Sequence, residues 1–108
     1  MAMHYPHLPQ IFGALSDPTR LAVVERLVTG PASVSQLSEP FAMARPSFLK
    51  HLRVLEEAGL VSSTKAGRVR TVVLVPDALD RVEDWIHAHR RDLEAKMDRL
   101  GSFLEEEQ

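Results

Sequence analysis

One stretch near the middle of the chain, residues 44–60, restricts the fold more than any other segment. Phe48, Leu52 and Leu55 recur at spacings of four and three residues, which places their side chains on one face of an α-helix. A proline stands where the first helical turn would be, and a glycine stands where the helix would end. The stretch therefore predicts a short helix over about residues 45–58 that packs by one face.

The other side of this predicted helix carries polar and basic side chains. These candidate DNA-binding residues are Arg45, Ser47, Lys50, His51 and Arg53. An arginine in the first turn can donate two hydrogen bonds to guanine, and the remaining side chains can donate to bases or to phosphates. A helix that is apolar on one side and cationic on the other fits the DNA major groove. A solvated charged surface would show the same pattern, so both interpretations stay open at this point.

Positive charge is concentrated in one part of a chain whose formal net charge is −2. Residues 45–70 contain six basic and two acidic side chains, a net charge of +4. Residues 1–44 carry −1 and residues 71–108 carry −5. A basic middle within an acidic chain is the asymmetry expected of a surface that binds nucleic acid.

The segment before the basic helix predicts two further helices. An aspartate followed by proline at position 18 starts the first, and a Gly-Pro pair from position 30 ends it. Its predicted apolar face consists of Leu21, Val24, Leu27 and Val28. A brief helix follows, capped by Ser33, with Ser35 and Gln36 as candidate phosphate donors. A turn at residues 42–44 would then complete a helix-turn-helix, whose first helix braces across the phosphate backbone.

After the basic helix, residues 60–65 and 69–75 predict two strands of a β-hairpin. Gly67 lies between them and supplies the positive φ that a tight hairpin turn usually needs. The basic side chains at or near the tip are Lys65, Arg68 and Arg70. They can reach the minor groove or its phosphates, although a basic tip that only improves solubility would look alike.

The rest of the chain predicts one long helix over about residues 77–104. Its apolar seam follows spacings of three and four and consists of Leu79, Val82, Ile86, His89, Leu93, Met97, Leu100 and Leu104. Trp85 widens this seam. A core of 108 residues cannot easily cover about seven helical turns of apolar surface, so the seam predicts pairing with a second chain.

Three blocks carry a family resemblance. The motif PSFLKHLRVLEEAGLV is preceded by ALSDPTRLAVVERL and followed by AGRVRTVVL, in this order and at these separations. Together they resemble the ArsR family of winged helix-turn-helix repressors over roughly residues 11–75. The resemblance implies a fold that is mainly α with a small β-hairpin wing, and helical termini that form a dimer interface.

The resemblance also implies a function and a partner. Residues 1–108 would form a single winged helix-turn-helix domain with the recognition helix at about 45–58 and the wing at about 60–75. Helices at about 8–15 and 77–104 would mediate homodimerisation, through Phe12 of the first and the seam and Trp85 of the second. The expected protein is a DNA-binding repressor of an inverted-repeat operator. No cofactor is expected, and the resemblance does not indicate an inducer.

The chain departs from the family pattern in the recognition helix, and it lacks the cysteine motif with which some relatives bind metals. Ala44 stands where a serine often caps the helix, and Leu49 stands where a small polar residue is common. With no cysteine, the thiolate motif of metal-sensing relatives is absent. An alternative is a metal-responsive repressor that pools His4, His7, Asp84 or His87 between two chains. His87 and His89 point about 200° apart on a helix, so one ion cannot use both.

Two further classes of protein are weighed against this interpretation. The chain has no Gly-rich phosphate loop, nucleophile elbow or carboxylate pair in an apolar pocket, so an enzyme is not expected. A winged-helix module that dimerises and binds protein stays open, and only the basic middle argues against it. With no long apolar run and no signal-like N-terminus, the plain expectation is a cytoplasmic protein.

Overall fold

The computed structural model describes residues 8–106, which form five helices and three strands. In chain order they are α1 (Leu8–Leu15), α2 (Pro18–Val28), β1 (Ala32–Ser33), α3 (Val34–Ser38), α4 (Arg45–Glu57), β2 (Val61–Ala66), β3 (Val69–Leu74) and α5 (Pro76–Glu106). The predicted fold class is confirmed: the chain is mainly helical with a small antiparallel sheet. Within the described range, no helix is both long and apolar enough to cross a lipid bilayer.

Helix α2 begins where the sequence predicts. The Asp17 carboxylate accepts hydrogen bonds from the backbone N–H groups of Thr19 (2.9 Å) and Arg20 (3.1 Å), and Pro18 occupies the first turn. These N–H groups have no partner inside the helix, so the side-chain cap stabilises the helix start. The cap fixes the position of Arg20, which contacts the recognition helix.

A reciprocal cap starts the short helix α3. The Ser33 hydroxyl accepts from the Gln36 N–H (3.1 Å), and the Gln36 side-chain oxygen accepts from the Ser33 N–H (2.9 Å). This capping box satisfies two backbone donors at once. Because Ala32 and Ser33 also pair with β3 as strand β1, the cap ties the bracing helix to the sheet.

Ser33→Ala should lower the free energy of unfolding by about 1 kcal/mol, the usual cost of losing a side-chain cap. The measurement is urea denaturation at one fixed protein concentration, since dimerisation would make stability depend on concentration. Ser35→Ala, which removes an exposed hydroxyl in the same helix, serves as the matched control. Equal stability of the two variants would mean that the capping box contributes nothing measurable.

The three strands form one antiparallel sheet in the order β1-β3-β2. Strands β2 and β3 pair from Val61 opposite Leu74 to Ala66 opposite Val69, and Gly67 in the turn has a φ of 63°. Val72 is buried against the core, whereas Val69 and Val73 lie on the exposed face of the hairpin. The hairpin is therefore packed by one side only.

The core lies between α1, α2, α4 and the sheet. The predicted apolar face of α4 is confirmed, because Phe48, Leu52 and Leu55 are all buried. The predicted face of α2 is partly wrong: Leu21 and Val28 are exposed, by 42% and 66%, and Val23 is buried instead. The buried face consists of Val23, Val24 and Leu27, so its centre is rotated by about 70° from that of the predicted face.

Helix α5 is anchored to the core only at its start. Ala78 is buried, and Leu79, Val82 and Trp85 pack partly against the core. The Phe12 ring of α1 contacts Trp85 edge to face, with 5.5 Å between ring centroids. The 31 residues of α5 span about 46 Å, and the protein measures 70 × 30 × 22 Å, so the helix projects far beyond the core.

Candidate nucleic-acid interface

The helix-turn-helix unit is held together by aromatic packing. Phe41, which follows α3, stacks on Phe48 of α4 with ring centroids 5.7 Å apart and planes inclined by 29°. Phe48 is completely buried, so the stack fixes the turn that connects the two helices. The side of α4 opposite this contact faces solvent.

Arg45, Ser47, Lys50 and Arg53 are exposed on α4. Residues four apart lie on the same flank of a helix, so Arg45 and Arg53 share the flank that faces the hairpin, and Ser47 lies on the other. Ala44 provides no side-chain cap, as expected for alanine, but Pro46 has no N–H to satisfy and the Ser47 N–H donates to the Ala44 carbonyl at 3.0 Å.

A cleft of about 880 Å³ lies between α4 and the hairpin. Its lining includes five of the eight candidate DNA-binding residues, namely Arg45 and Arg53 from α4 and Lys65, Arg68 and Arg70 from the hairpin. Glu56 and Glu57 also line it, so these charged groups sum to +3. Two elements that are separate in sequence thus direct their cations into one space, which a solvated charged helix alone would not do.

Strand pairing and a side-chain hydrogen bond fix the positions of the basic residues on the hairpin. Lys65 lies directly opposite Arg70 in the strand register, and Nη1 of Arg70 donates to the Ser63 hydroxyl at 3.4 Å. Arg68 sits in the turn after Gly67. The three cations therefore extend from the wall of the cleft to the tip of the wing, here β2, β3 and their turn.

Two residues of the bracing segment have different roles. Ser35 lines the cleft beside Arg45 and can donate to an acceptor there. The Gln36 side-chain oxygen is engaged in the cap of α3. Ser33 also lines the cleft, which the sequence did not indicate because its capping role was the only visible signal.

His51 lies differently from the other candidates on α4. Its ring is half-buried against the start of α2, with Nδ1 3.1 Å from Nη1 of Arg20 and 3.7 Å from Oδ2 of Asp17. The sequence placed it simply on the outward side, because its neighbour in α2 is 31 positions away in the chain. One side of the ring thus contacts α2, and the rest of the ring is exposed to solvent.

Asp17 lies at the centre of this junction. The Arg20 backbone N–H lowers the pKa of the Asp17 carboxyl, and positive charge on the neighbouring His51 ring or on the Arg20 guanidinium acts in the same direction. A lowered pKa in the folded state means that the charged carboxylate stabilises the fold at neutral pH. This contribution is lost only in acid, as the pH falls through the lowered pKa.

The distal part of α5 exposes the predicted seam. Ile86, Leu93, Met97 and Leu100 are exposed by 41–60%, and so is Phe103, which lies outside the predicted seam. Phe103 lies one helical turn beyond Leu100, at a spacing of three that could have identified it. Exposed large apolar side chains along one helix are typical of a surface that contacts another protein.

His89 lies at the proximal end of the exposed seam. Its ring packs on Trp85 with centroids 4.4 Å apart, and Nδ1 donates to the Trp85 carbonyl at 2.9 Å. The bond to the carbonyl defines Nδ1 as protonated and leaves Nε2 for another partner.

Within residues 8–106 of one chain, no three His, Asp or Glu side chains lie close enough to hold an ion, and a metal site pooled between two chains stays a prediction. Asp84 and His87 are both exposed on α5. His4 and His7 lie outside the described residues.

A bracing helix, a recognition helix and a β-hairpin wing together define a winged helix-turn-helix protein. Residues 15–64 match a family described as a helix-turn-helix domain. The chain is 44% identical to the HTH-type transcriptional regulator Rv2034 of Mycobacterium tuberculosis, over 61% of the chain and 62% of that protein. It is 30% identical to the transcriptional repressor SdpR of Bacillus subtilis, over 77% of the chain and 97% of that protein.

A solved structure described as an ArsR family transcriptional regulator, RHA00566, is 46% identical and superimposes with a TM-score of 0.81. The superposition covers 87% of the chain and 97% of that structure. The chain belongs to the ArsR family of winged helix-turn-helix transcriptional regulators. The relatives named here are regulators of transcription and not enzymes.

Proposed function

We propose that this protein is a homodimeric repressor that binds an inverted-repeat operator and acts in the cytoplasm. Helix α4 of each subunit enters the major groove, and the wing contacts the flanking minor groove or its phosphates. The observation that carries this proposal is the cleft between α4 and the wing. Its cations come from both elements, and a duplex backbone is the polyanion that two such walls can straddle.

Within this proposal the candidate residues divide by position. Arg45 lies in the first turn of α4, the end of a recognition helix that usually reaches base edges. Arg53 lies two turns further and contacts phosphate instead. Lys65, Arg68 and Arg70 provide the DNA contacts of the wing. Ser47 and Lys50 provide further contacts from the remaining exposed surface of α4.

The proposed dimer is supported by the exposed seam of α5. A projecting helix of 31 residues with only its first turns packed leaves its apolar side in water, which a second copy would cover. In one subunit Phe12 and Trp85 contact each other, so both lie at the base of the proposed interface. A twofold axis then sets the two recognition helices on half-sites one helical turn, or a multiple of it, apart.

The class of function is tested by titrating random-sequence duplex DNA at increasing salt. A DNA-binding protein should lose affinity steeply, because each phosphate contact contributes about 0.9 to the slope of log K against log salt. A flat profile with negligible binding would instead favour a winged-helix module that binds protein.

Arg45→Ala should weaken binding to the operator by roughly 5- to 150-fold per half-site, the equivalent of about 1–3 kcal/mol for each lost bidentate base contact. Binding to random duplex should fall much less. The comparison uses fluorescence anisotropy on both DNAs at one salt concentration, with Arg53→Ala as the control that should weaken both equally. If Arg45→Ala also reduces both equally, Arg45 contacts phosphate and base reading lies elsewhere.

A further inference from the structure

A cluster at the junction of three helices joins the recognition helix to the protein body. Nε of Arg20 donates to the Ala14 carbonyl at the end of α1 (2.8 Å), and Nη2 of Arg20 lies 3.4 Å from the Gly13 carbonyl. Nη1 of the same guanidinium lies 3.1 Å from Nδ1 of His51 in α4. One side chain of α2 therefore contacts both of the helices beside it.

The distances indicate the hydrogen-bonding roles of the two nitrogens of the His51 ring. A guanidinium is always a donor, so its hydrogen bond to Nδ1 requires Nδ1 to be an unprotonated acceptor. The competing arrangement, in which Nδ1–H donates to Asp17, needs a shorter contact than the observed 3.7 Å. The Asp17 oxygen concerned already accepts two backbone N–H groups. When Nδ1 accepts from Arg20, the proton of the neutral His51 ring is on Nε2.

The proton on Nε2 is directed to the surface. No residue in the range 8–106 forms a hydrogen bond with Nε2, and no polar side-chain atom of that range is both buried and without a partner. Nε2 is consequently reached by solvent. His51 follows Ser47 by one helical turn and lies on the flank of α4 away from the wing cleft.

We propose that Arg20 is a positioning residue for DNA binding, which holds His51 as the neutral Nε2–H tautomer and presents that N–H to a phosphate oxygen. This inference rests on the proposed function. It adds a contact on the flank of α4 away from the wing, so that the recognition helix is held to the phosphates from both sides. Arg20 itself does not touch the DNA, because its guanidinium is engaged by the Ala14 carbonyl and His51.

The arrangement in the free protein is tested first, by ¹⁵N NMR of the His51 ring at pH 7.5. The expected spectrum has an unprotonated Nδ1 and a protonated Nε2, and Arg20→Met should give a mixture of both tautomers. A protonated Nδ1 in the unmodified protein, whether as the other tautomer or as imidazolium, overturns the proposal. This result does not depend on DNA, so it separates failure here from failure of the proposed function.

The contact with DNA is tested with two amide replacements. Gln places its amide nitrogen near the position of Nε2, whereas Asn places it near Nδ1. His51→Gln should bind random duplex within about threefold of the unmodified protein, and His51→Asn should bind roughly tenfold more weakly. Equal affinities of the two variants overturn the proposed Nε2 contact.

The role of Arg20 is distinguished from a direct phosphate contact by salt dependence. Arg20→Met should weaken binding about as much as His51→Asn, without changing the slope of log K against log salt, because no cation leaves the DNA surface. Arg20→Met combined with His51→Asn should be no weaker than either variant alone. A slope reduced by about 0.9 per subunit would show that Arg20 binds phosphate itself. Circular dichroism verifies that each variant is folded. If Arg20→Met does not fold, the comparison of His51→Gln with His51→Asn still tests the proposed contact.

Discussion

Replacing Ile86 and Leu93 together by aspartate is expected to convert the proposed dimer into monomers and to weaken operator binding by about 10²–10⁴-fold. Both side chains lie on the exposed seam of α5, and they are seven residues apart, so they occupy equivalent positions two turns apart. In a dimer each aspartate would be buried against an apolar partner. An unpaired buried charge is strongly destabilising, and two per chain should abolish the interface.

The loss of DNA affinity follows from the loss of the second half-site. With two subunits linked, binding of the first recognition helix holds the other close to its own half-site, and this gain disappears in a monomer. The wing cleft of each subunit is untouched by the substitutions, since it is formed by other elements. The monomer should therefore still bind random duplex weakly, in proportion to its own phosphate contacts.

The measurements are multi-angle light scattering for mass and anisotropy for operator affinity. Ala95→Asp with Ser102→Asp is the matched control, because it adds the same charge to exposed positions on the opposite side of α5. This control should remain a dimer. If the Ile86 and Leu93 variant is also dimeric, the distal seam of α5 is not the interface.

Lys65→Ala combined with Arg68→Ala is expected to weaken operator and random-duplex binding alike, by roughly ten- to a hundredfold at moderate salt. Both cations line the cleft at the tip of the wing, and neither has a carboxylate partner in the part of the chain that the structure describes. Phosphate contacts carry little sequence information, so the ratio of specific to non-specific affinity should hardly change.

The salt slope decides the interpretation of this variant. A dimer loses four cations at the DNA surface, so the slope of log K against log salt should become shallower by about 3–4. Arg91→Ala with Arg99→Ala removes the same formal charge from exposed positions of α5 and should leave the slope nearly unchanged. If both double variants reduce affinity equally, long-range charge and not wing contact accounts for the effect.

Much of the local structure was predictable from short-range patterns. The helix α4 follows from the spacing of Phe48, Leu52 and Leu55, and the hairpin follows from two β-rich runs around Gly67. The start of α2 follows from an aspartate cap before proline. These signals depend on backbone hydrogen bonds and on residues within one or two turns, so a sequence read in windows contains them.

The buried face of α2 is not determined by such short-range patterns. A helix of 11 residues can bury any of several overlapping faces, and Leu21, Val24 and Val28 fit one as well as Val23 and Val24 fit another. The choice is made by where α4 and the sheet pack on α2, and packing geometry is a property of the whole core. Periodicity therefore identified the helix but not the side that is buried.

The sequence by itself determined the elements of the winged helix-turn-helix, the polar side of α4 and the long apolar seam of α5, because each is encoded within one continuous segment. Only the tertiary structure decided that cations from α4 and the wing line one cleft, that the seam is covered at its base and exposed beyond Trp85, and that Arg20 contacts His51. The reason is physical: these features join residues far apart in the chain, and such distances depend on how the helices cross in the folded core.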